Sequence, residues 1–246
     1  LWVWDELSYD RFHEKEDRLY RVISEVQWDV TQIWKNTPAR LADVLREEIP
    51  EIENVAKVTY PRELIAEING ETGKEQGMNA EPDFLRMFTF TLLQGNAETA
   101  LDNPNNIVIS KDFAERYFGD EDPMGKGVQM ENQDFQVAGL MENVPSNSTL
   151  QFDFILPQIQ FEQGKDWVQR WGVFSFLTFV ELQPGIEKSV VDQKIENIIG
   201  EHTSEESAHH LFLEPIANMH LYDHYVNGQP TGGRMTYVYL FSVIAL

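Results

Sequence analysis

The stretch that most constrains the fold is residues 105–131, NNIVISKDFAERYFGDEDPMGKGVQME, because several independent local signals agree there. Ile107, Val108 and Ile109 form a short apolar run expected as a buried strand, and Ser110 stands where it can cap a following helix. Phe113, Ala114, Tyr117 and Phe118 share one face of that helix; Lys111, Asp112, Glu115 and Arg116 share the other. Gly119 supplies a left-handed stop. An acidic loop, Asp120-Glu121-Asp122, then runs through Pro123 and a Gly125-Lys126-Gly127 turn into another strand.

On either side the periodicity changes. Tyr20, Val22, Val26 and Trp28 alternate with polar residues, which predicts a strand. Thr37 is expected to cap a helix with Pro38 at its first position, and Leu41, Val44, Leu45 and Ile49 form its buried stripe. A second strand is expected at residues 55–60. The pattern recurs late in the chain: an apolar strand at 174–182, a helical stripe (Ile186, Val190, Val191, Ile195, Ile198, Ile199) closed by Gly200, and a strand at 211–216. Two β–α–β units of this kind pair into one sheet with helices on one face, an α+β sandwich. Between them lie an expected hairpin, residues 63–69 and 74–80 across Gly70-Glu71-Thr72-Gly73, a short helix at 83–88, and the opening unit. Residues 83–167 therefore read as an inserted β-rich subdomain between two parts, 20–82 and 168–227, of one discontinuous subdomain. Residues 228–233, GQPTGG, read as a flexible linker.

The net charge of −22, from 41 acidic and 19 basic side chains, repels phosphate backbones, so nucleic acid is not an expected partner. The chain has no cysteine, which removes disulfides, thiolate catalysis and cysteine-ligated metals. Residues 1–4 and 236–246 are apolar and aromatic, but the latter run is far short of the roughly 20 residues that span a bilayer. One reading is a C-terminal core element. The other is an acidic domain held between two membrane helices, with Trp2, Trp4, Tyr237, Tyr239 and Phe241 at the membrane–water interface.

Candidate chemistry is sparse. Gly119 and Gly125 enclose one residue too many for a Walker loop, and Gly127 replaces the magnesium-binding hydroxyl. Asp120, Glu121 and Asp122 lack the alternate spacing of a calcium loop and read as a solvated helix-terminating loop. The HEKED run lacks the second histidine of H-E-x-x-H and reads as a solvated helix face. His220 and His224, with Asp223 beside them and His209-His210 upstream, are the best metal candidates, but Gly228 and Pro230 argue against the helix that would align them. No G-x-S-x-G elbow is present, and Asn147-Ser148-Thr149 reads as a polar turn. No catalytic, cofactor or metal residue is assigned. Of the aromatic residues Trp28, Trp34, Trp167, Trp171, Phe174, Phe176 and Phe179, most read as core, and Trp34 is the candidate for facing a partner.

The run VIS…A…YFGDEDPMGK resembles the periplasmic core of MacB-type ABC transporter permeases, whose membrane part is of the FtsX kind. Residues 7–22 (LSYDRFHEKEDRLYRV), 84–101 (FLRMFTFTLLQGNAETAL) and 144–156 (VPSNSTLQFDFIL) resemble the same family in the same order. The resemblance implies a porter part built from two β–α–β units and an inserted part called Sabre. It places residues 1–19 after a first membrane helix and 228–246 at the start of the next, on the periplasmic side of a bacterial inner membrane. It implies a non-catalytic domain coupling membrane-helix motion to export or release of a peptide, drug or lipoprotein. The implied partners are a separate cytoplasmic ATPase, a second permease copy, and a periplasmic adaptor or substrate. A membrane-attached sensor or ligand-binding domain is the alternative, and a carboxylate-dependent hydrolase stands third.

Overall fold

The computed structural model describes residues 2–26, 29–203 and 208–244. The chain forms two compact units, Leu1–Val55 with Asp166–Leu246, and Ala56–Lys165.

The discontinuous unit opens with helix α1 (Trp2–Leu7), followed by turns, β1 (Leu19–Val26), β2 (Gln32–Trp34), β3 (Thr37–Pro38), α2 (Ala39–Glu48) and β4 (Ile52–Val58). Along β4 the chain passes into the second unit. The 9–18 segment is not a solvated helix face. It folds as turns with Asp10 and His13 buried, and Lys15 and Arg18 reach the fully buried Glu181 at 2.9 and 2.7 Å. Nor does Thr37 cap α2. It lies in a ladder with Phe176, where its hydroxyl bonds Phe176 O and Thr178 Oγ1, and Pro38 takes the cap position. A buried hydroxyl needs a partner, and the cross-strand pair supplies two.

Residues 56–165 hold β5 (Arg62–Ile68), β6 (Glu71–Ala80), α3 (Asp83–Met87), β7 (Leu92–Gly95), β8 (Asn106–Ser110), α4 (Lys111–Phe118), β9 (Gly127–Met130), β10 (Gln133–Met141), β11 (Phe154–Pro157) and α5 (Gln158–Glu162). The strand order β11-β8-β10-β9-β5-β6, with β6 also pairing β11, closes on itself as a ring of six. That ring assigns the β5–β6 hairpin to this unit, so the first boundary falls after Val55 and not near residue 82. The hairpin turns on two residues, Asn69 (φ 53°) and Gly70 (φ 82°), a tighter turn than Gly70–Gly73. Asn-Gly favours this turn because both positions require positive φ. The opening unit forms as expected: Ser110 Oγ accepts from Phe113 N at 3.2 Å, and Phe113, Ala114, Tyr117 and Phe118 join Ile107, Ile109, Val128, Val137 and Phe154 in the core.

The chain then returns through a 3-10 turn at Asp166–Gln169 to β12 (Phe174–Leu182), α6 (Lys188–Ile195), α7 (Ile198–Thr203), β13 (His209–Pro215), β14 (His224–Val226), β15 (Gln229–Gly232) and α8 (Arg234–Ile244). The helix does not close at Gly200; α7 continues to Thr203. The sheet order is β4-β12-β1-β13, the split β–α–β arrangement, with β1 antiparallel to both β12 and β13. Val22, Val180, Leu182, Leu211 and Leu213 face a core completed by α2, α6 and α7. The opposite face carries the cross-strand pairs Arg21/Glu214, Ile23/Phe212 and Glu25/His210. The α+β class expected from the sequence is the one observed.

Candidate functional site: two paired helices on a pinned hairpin

Residues 229–232 are not a linker. They form β15, which pairs β14 across Asn227-Gly228, at φ 49° and 70°. The hairpin lies over the mixed-polarity face of the sheet because Tyr225 is buried there with Ile23 and Phe212. Its hydroxyl donates to Glu214 Oε1 at 2.5 Å, while Arg21 Nε donates to Glu214 Oε2 at 2.7 Å. Arg21, Glu214 and Tyr225 are all at least nine-tenths buried. Burial and the Glu214 carboxylate push the Tyr225 hydroxyl far above the usual tyrosine range, so it remains a donor.

Gly233 (φ 135°) joins this hairpin to α8, and a Cβ there would meet Leu221 O at 2.6 Å. The helix is tied down at once: Met235 N donates to Leu221 O at 3.1 Å and Val238 is buried. Tyr222 is raised above its ordinary value by burial first and then by the neighbouring, hydrogen-bonded Tyr239.

Helix α1 lies against α8, with the Trp2 and Phe241 rings edge to face at 5.2 Å. Glu6 is the buried residue of α1. It meets His220 Nε2 at 2.7 Å and Arg234 Nη1 at 3.6 Å, and His220 stacks on Tyr9 at 3.5 Å with the rings 5° apart. A carboxylate only accepts, so His220 carries its proton on Nε2. Around this junction Trp4, Tyr237, Tyr239, Leu240, Phe241 and Val243 are exposed, Trp4 by 78% and Val243 by 72%. Trp2 is 42% exposed. Such a concentration of exposed apolar surface marks an interaction site. Among the described residues no helix is long and apolar enough to cross a membrane.

The other candidates are dispersed. His220 stands in a turn and His224 on β14, where it is exposed and 3.4 Å from Asp223, so the two do not share a helix face. His209 Nδ1 meets Ser24 Oγ at 3.1 Å, and His210 lies 3.9 Å from Glu196. Among the described residues no three His, Asp or Glu side chains gather as a metal site. Glu121 pairs Lys126, and Asp122 accepts from Met124 N at 3.1 Å. Trp34 is half-buried, its ring edge to face with Phe174 at 5.4 Å and His209 at 5.1 Å. Trp28 lies outside the described residues. Trp167 stacks on Phe176 and Trp171 on His202.

A groove of about 350 Å³ runs along β13 between α6 and the hairpin, lined by Glu25, Asp192, Glu196 and His210. The outward amides of β13 are already used, Leu211 N by Glu196 O and Leu213 N by Asp192 Oδ1. A polar pocket of about 250 Å³ in the 56–165 unit holds Ser110, Asp112, Asn143 and Asp153. Burial raises the Asp153 carboxyl above its ordinary range. Ser110 serves as a helix cap, Asp112 is held by Asn143 at 2.6 Å, and no histidine lines the pocket.

The family model of the MacB-like periplasmic core domain matches residues 1–198. The chain belongs to this family. It is therefore a MacB-like periplasmic domain of an ABC transporter permease. No curated protein matches it. A domain of a putative permease protein from Porphyromonas gingivalis is 24% identical at TM-score 0.69, covering 92% of this chain and 99% of that one. The periplasmic region of MacB from Actinobacillus actinomycetemcomitans is 13% identical at TM-score 0.60, covering 82% and 90%. The extracellular domain of the noncanonic ABC-type transporter YknZ from Gram-positive bacteria is 12% identical at 0.58, covering 79% and 99%. At these identities the likeness carries the fold.

Proposed function

We propose that this domain transmits motion, and that α1 and α8 are the elements through which it receives it. The supporting observation is their pairing: two aromatic-rich helices lie side by side on one unit, exposing Trp2, Trp4, Tyr237, Tyr239 and Phe241. Tyr and Trp with a buried body and a wet tip favour the membrane–water interface. In this reading the two helices sit at the periplasmic surface of the inner membrane and continue into the permease's membrane helices. A cytoplasmic ATPase drives those helices, and a second permease copy carries the twin of this domain. The discontinuous unit takes the porter role and the 56–165 unit the inserted Sabre-like role. The recipient of the motion is an exported peptide, drug or lipoprotein, or a periplasmic adaptor. Trp34, which is half-buried, is a candidate contact for that partner.

The interface part is tested on the chain itself, whose lack of cysteine permits single labels. An environment-sensitive fluorophore on Tyr239→Cys is expected to shift to the blue when zwitterionic vesicles are added. The same label on Lys74→Cys, an exposed position in the other unit, is expected not to move. Equal responses, or none at either site, would remove the membrane-facing role of α8.

A further inference from the structure

Helix α1 is six residues long and lies against the rest of its unit through few side chains. Trp2 and Trp4 are exposed, Val3 and Leu7 half-buried, and Asp5 exposed. Glu6 is different: its side chain is 7% accessible and reaches two separate pieces of chain at once. His220 belongs to the turn after β13, and Arg234 is the first residue of α8. The imidazole is itself clamped, with Nε2 on Glu6 and its face on the Tyr9 ring. Thus one carboxylate joins the first helix, the last helix and the turn between the sheet and the hairpin.

We propose that Glu6 is a coupling latch: it makes α1, the 219–221 turn and α8 move as one body. The inference rests on the proposed transmitting role. If a movement arrives along either helix, it must reach the sheet, and loose helices would absorb it as bending. The sheet side of the path is rigid, because only a 3-10 turn, Ile216–Asn218, separates β13 from this turn and the hairpin is pinned through Tyr225 and Glu214. On the helix side Glu6 is the buried contact: the α8 backbone tie, Met235 N to Leu221 O, does not involve α1, and the other contact between the helices, Trp2 on Phe241, is made by exposed rings. A buried carboxylate whose partners are removed or displaced is unfavourable, so the arrangement has one well-defined state. Glutamate suits the task because one carboxylate oxygen, Oε2, takes the His220 hydrogen bond and faces the Arg234 guanidinium as well.

Hydrogen–deuterium exchange on the 246-residue chain, without lipid, tests the latch. In Glu6→Ala the amides of residues 2–11 are expected to lose protection, whereas β1 and β12 keep theirs. Glu6→Gln, which retains an acceptor for His220 but loses the charge facing Arg234, is expected to fall between wild type and Glu6→Ala. Trp4→Ala, which removes an exposed side chain from the same helix, is expected to leave exchange unchanged. Unaltered protection of 2–11 in Glu6→Ala would overturn the proposal. So would uniform loss across β1, β12 and α1, because Glu6 would then support folding and not coupling. In the full-length permease, Glu6→Ala is expected to keep ATP hydrolysis while transport falls; equal loss of both would overturn the coupling role. The lipid-free exchange result does not depend on the vesicle experiment, so failure of the latch and failure of the membrane reading can be told apart.

Discussion

Glu214→Ala should destabilise the discontinuous unit more than any exposed substitution. Arg21 and Glu214 stand opposite each other on β1 and β13, with side chains 5% and 0% accessible. Removing the carboxylate leaves a buried guanidinium without its counter-charge and the Tyr225 hydroxyl without its acceptor. Breaking a buried pair from one side costs about 3–5 kcal/mol. For a chain of this size each kcal/mol moves Tm by about 2–4 °C, so a fall of roughly 6–20 °C is expected for the transition of this unit. Circular dichroism melts and urea titrations at neutral pH would measure it. The double substitution Arg21→Met with Glu214→Leu supplies the decisive comparison, since it removes both charges and keeps the volume. Its loss should be well below that of Glu214→Ala, because replacing a buried pair by apolar groups is often near neutral. If the double variant is as unstable as the single one, the stranded charge is not the cause and the argument fails.

Other outcomes follow from single contacts. Burial lowers the His13 imidazole from 6.5 to about 4, so the unfolded chain binds a proton there that the folded chain refuses. This contribution is present above about pH 6.5 and lost as pH falls toward about 4, up to ~3 kcal/mol, and His13→Gln should flatten that part of a urea-stability profile. In Gly77→Ala the new Cβ would sit 2.2 Å from the buried Phe154 ring across the β6–β11 pairing, which should cost about 1–3 kcal/mol in a denaturant titration. Ser110→Ala removes the cap of α4 and should cost about 1 kcal/mol by the same measurement. Asp192→Ala should uncover Leu213 N on the β13 edge and give concentration-dependent association in light scattering, whereas a strictly monomeric variant would show that the edge is protected otherwise.

What was legible in the sequence was whatever the local pattern determines. The 105–131 unit appears element by element because strand periodicity, cap, helical stripe and glycine stop occur in order within one short stretch. The β–α–β units were readable for the same reason. What was not legible depended on distant partners. Thr37 looks like a cap until Phe176 and Thr178 compete for its hydroxyl. The 229–232 segment looks like a linker until Tyr225 finds Glu214 and holds the hairpin down. The β5–β6 hairpin looks like part of the β–α–β repeat until β11 and β9 pair with it. Glu6 carried no local signal, being one acid among 41; the aromatic residues flanking it were the only hint. The sequence marks His220 only as a metal candidate that Gly228 and Pro230 argue against, because spacing reports neighbours along the chain and Glu6 is 214 residues away.

The meeting of α1 and α8 follows from strand order. Leu19 opens β1 and Pro215 closes β13, and the antiparallel register sets Tyr20 opposite Pro215. Chain entering β1 and chain leaving β13 therefore occupy the same end of the sheet, whatever lies between β4 and β12. The 56–165 unit is inserted into that interval, so its size and content do not alter where the two helices emerge. An arrangement with β13 beside β4 would put two strands, β4 and β12, between the exit and the entrance, and no short side chain could bridge the gap. Because β13 is the neighbour of β1, a single glutamate on α1 is long enough to reach both the turn after β13 and the first residue of α8. The split β–α–β order is thus what brings α1 and α8 together, and what allows the domain to accept a large insertion without separating them.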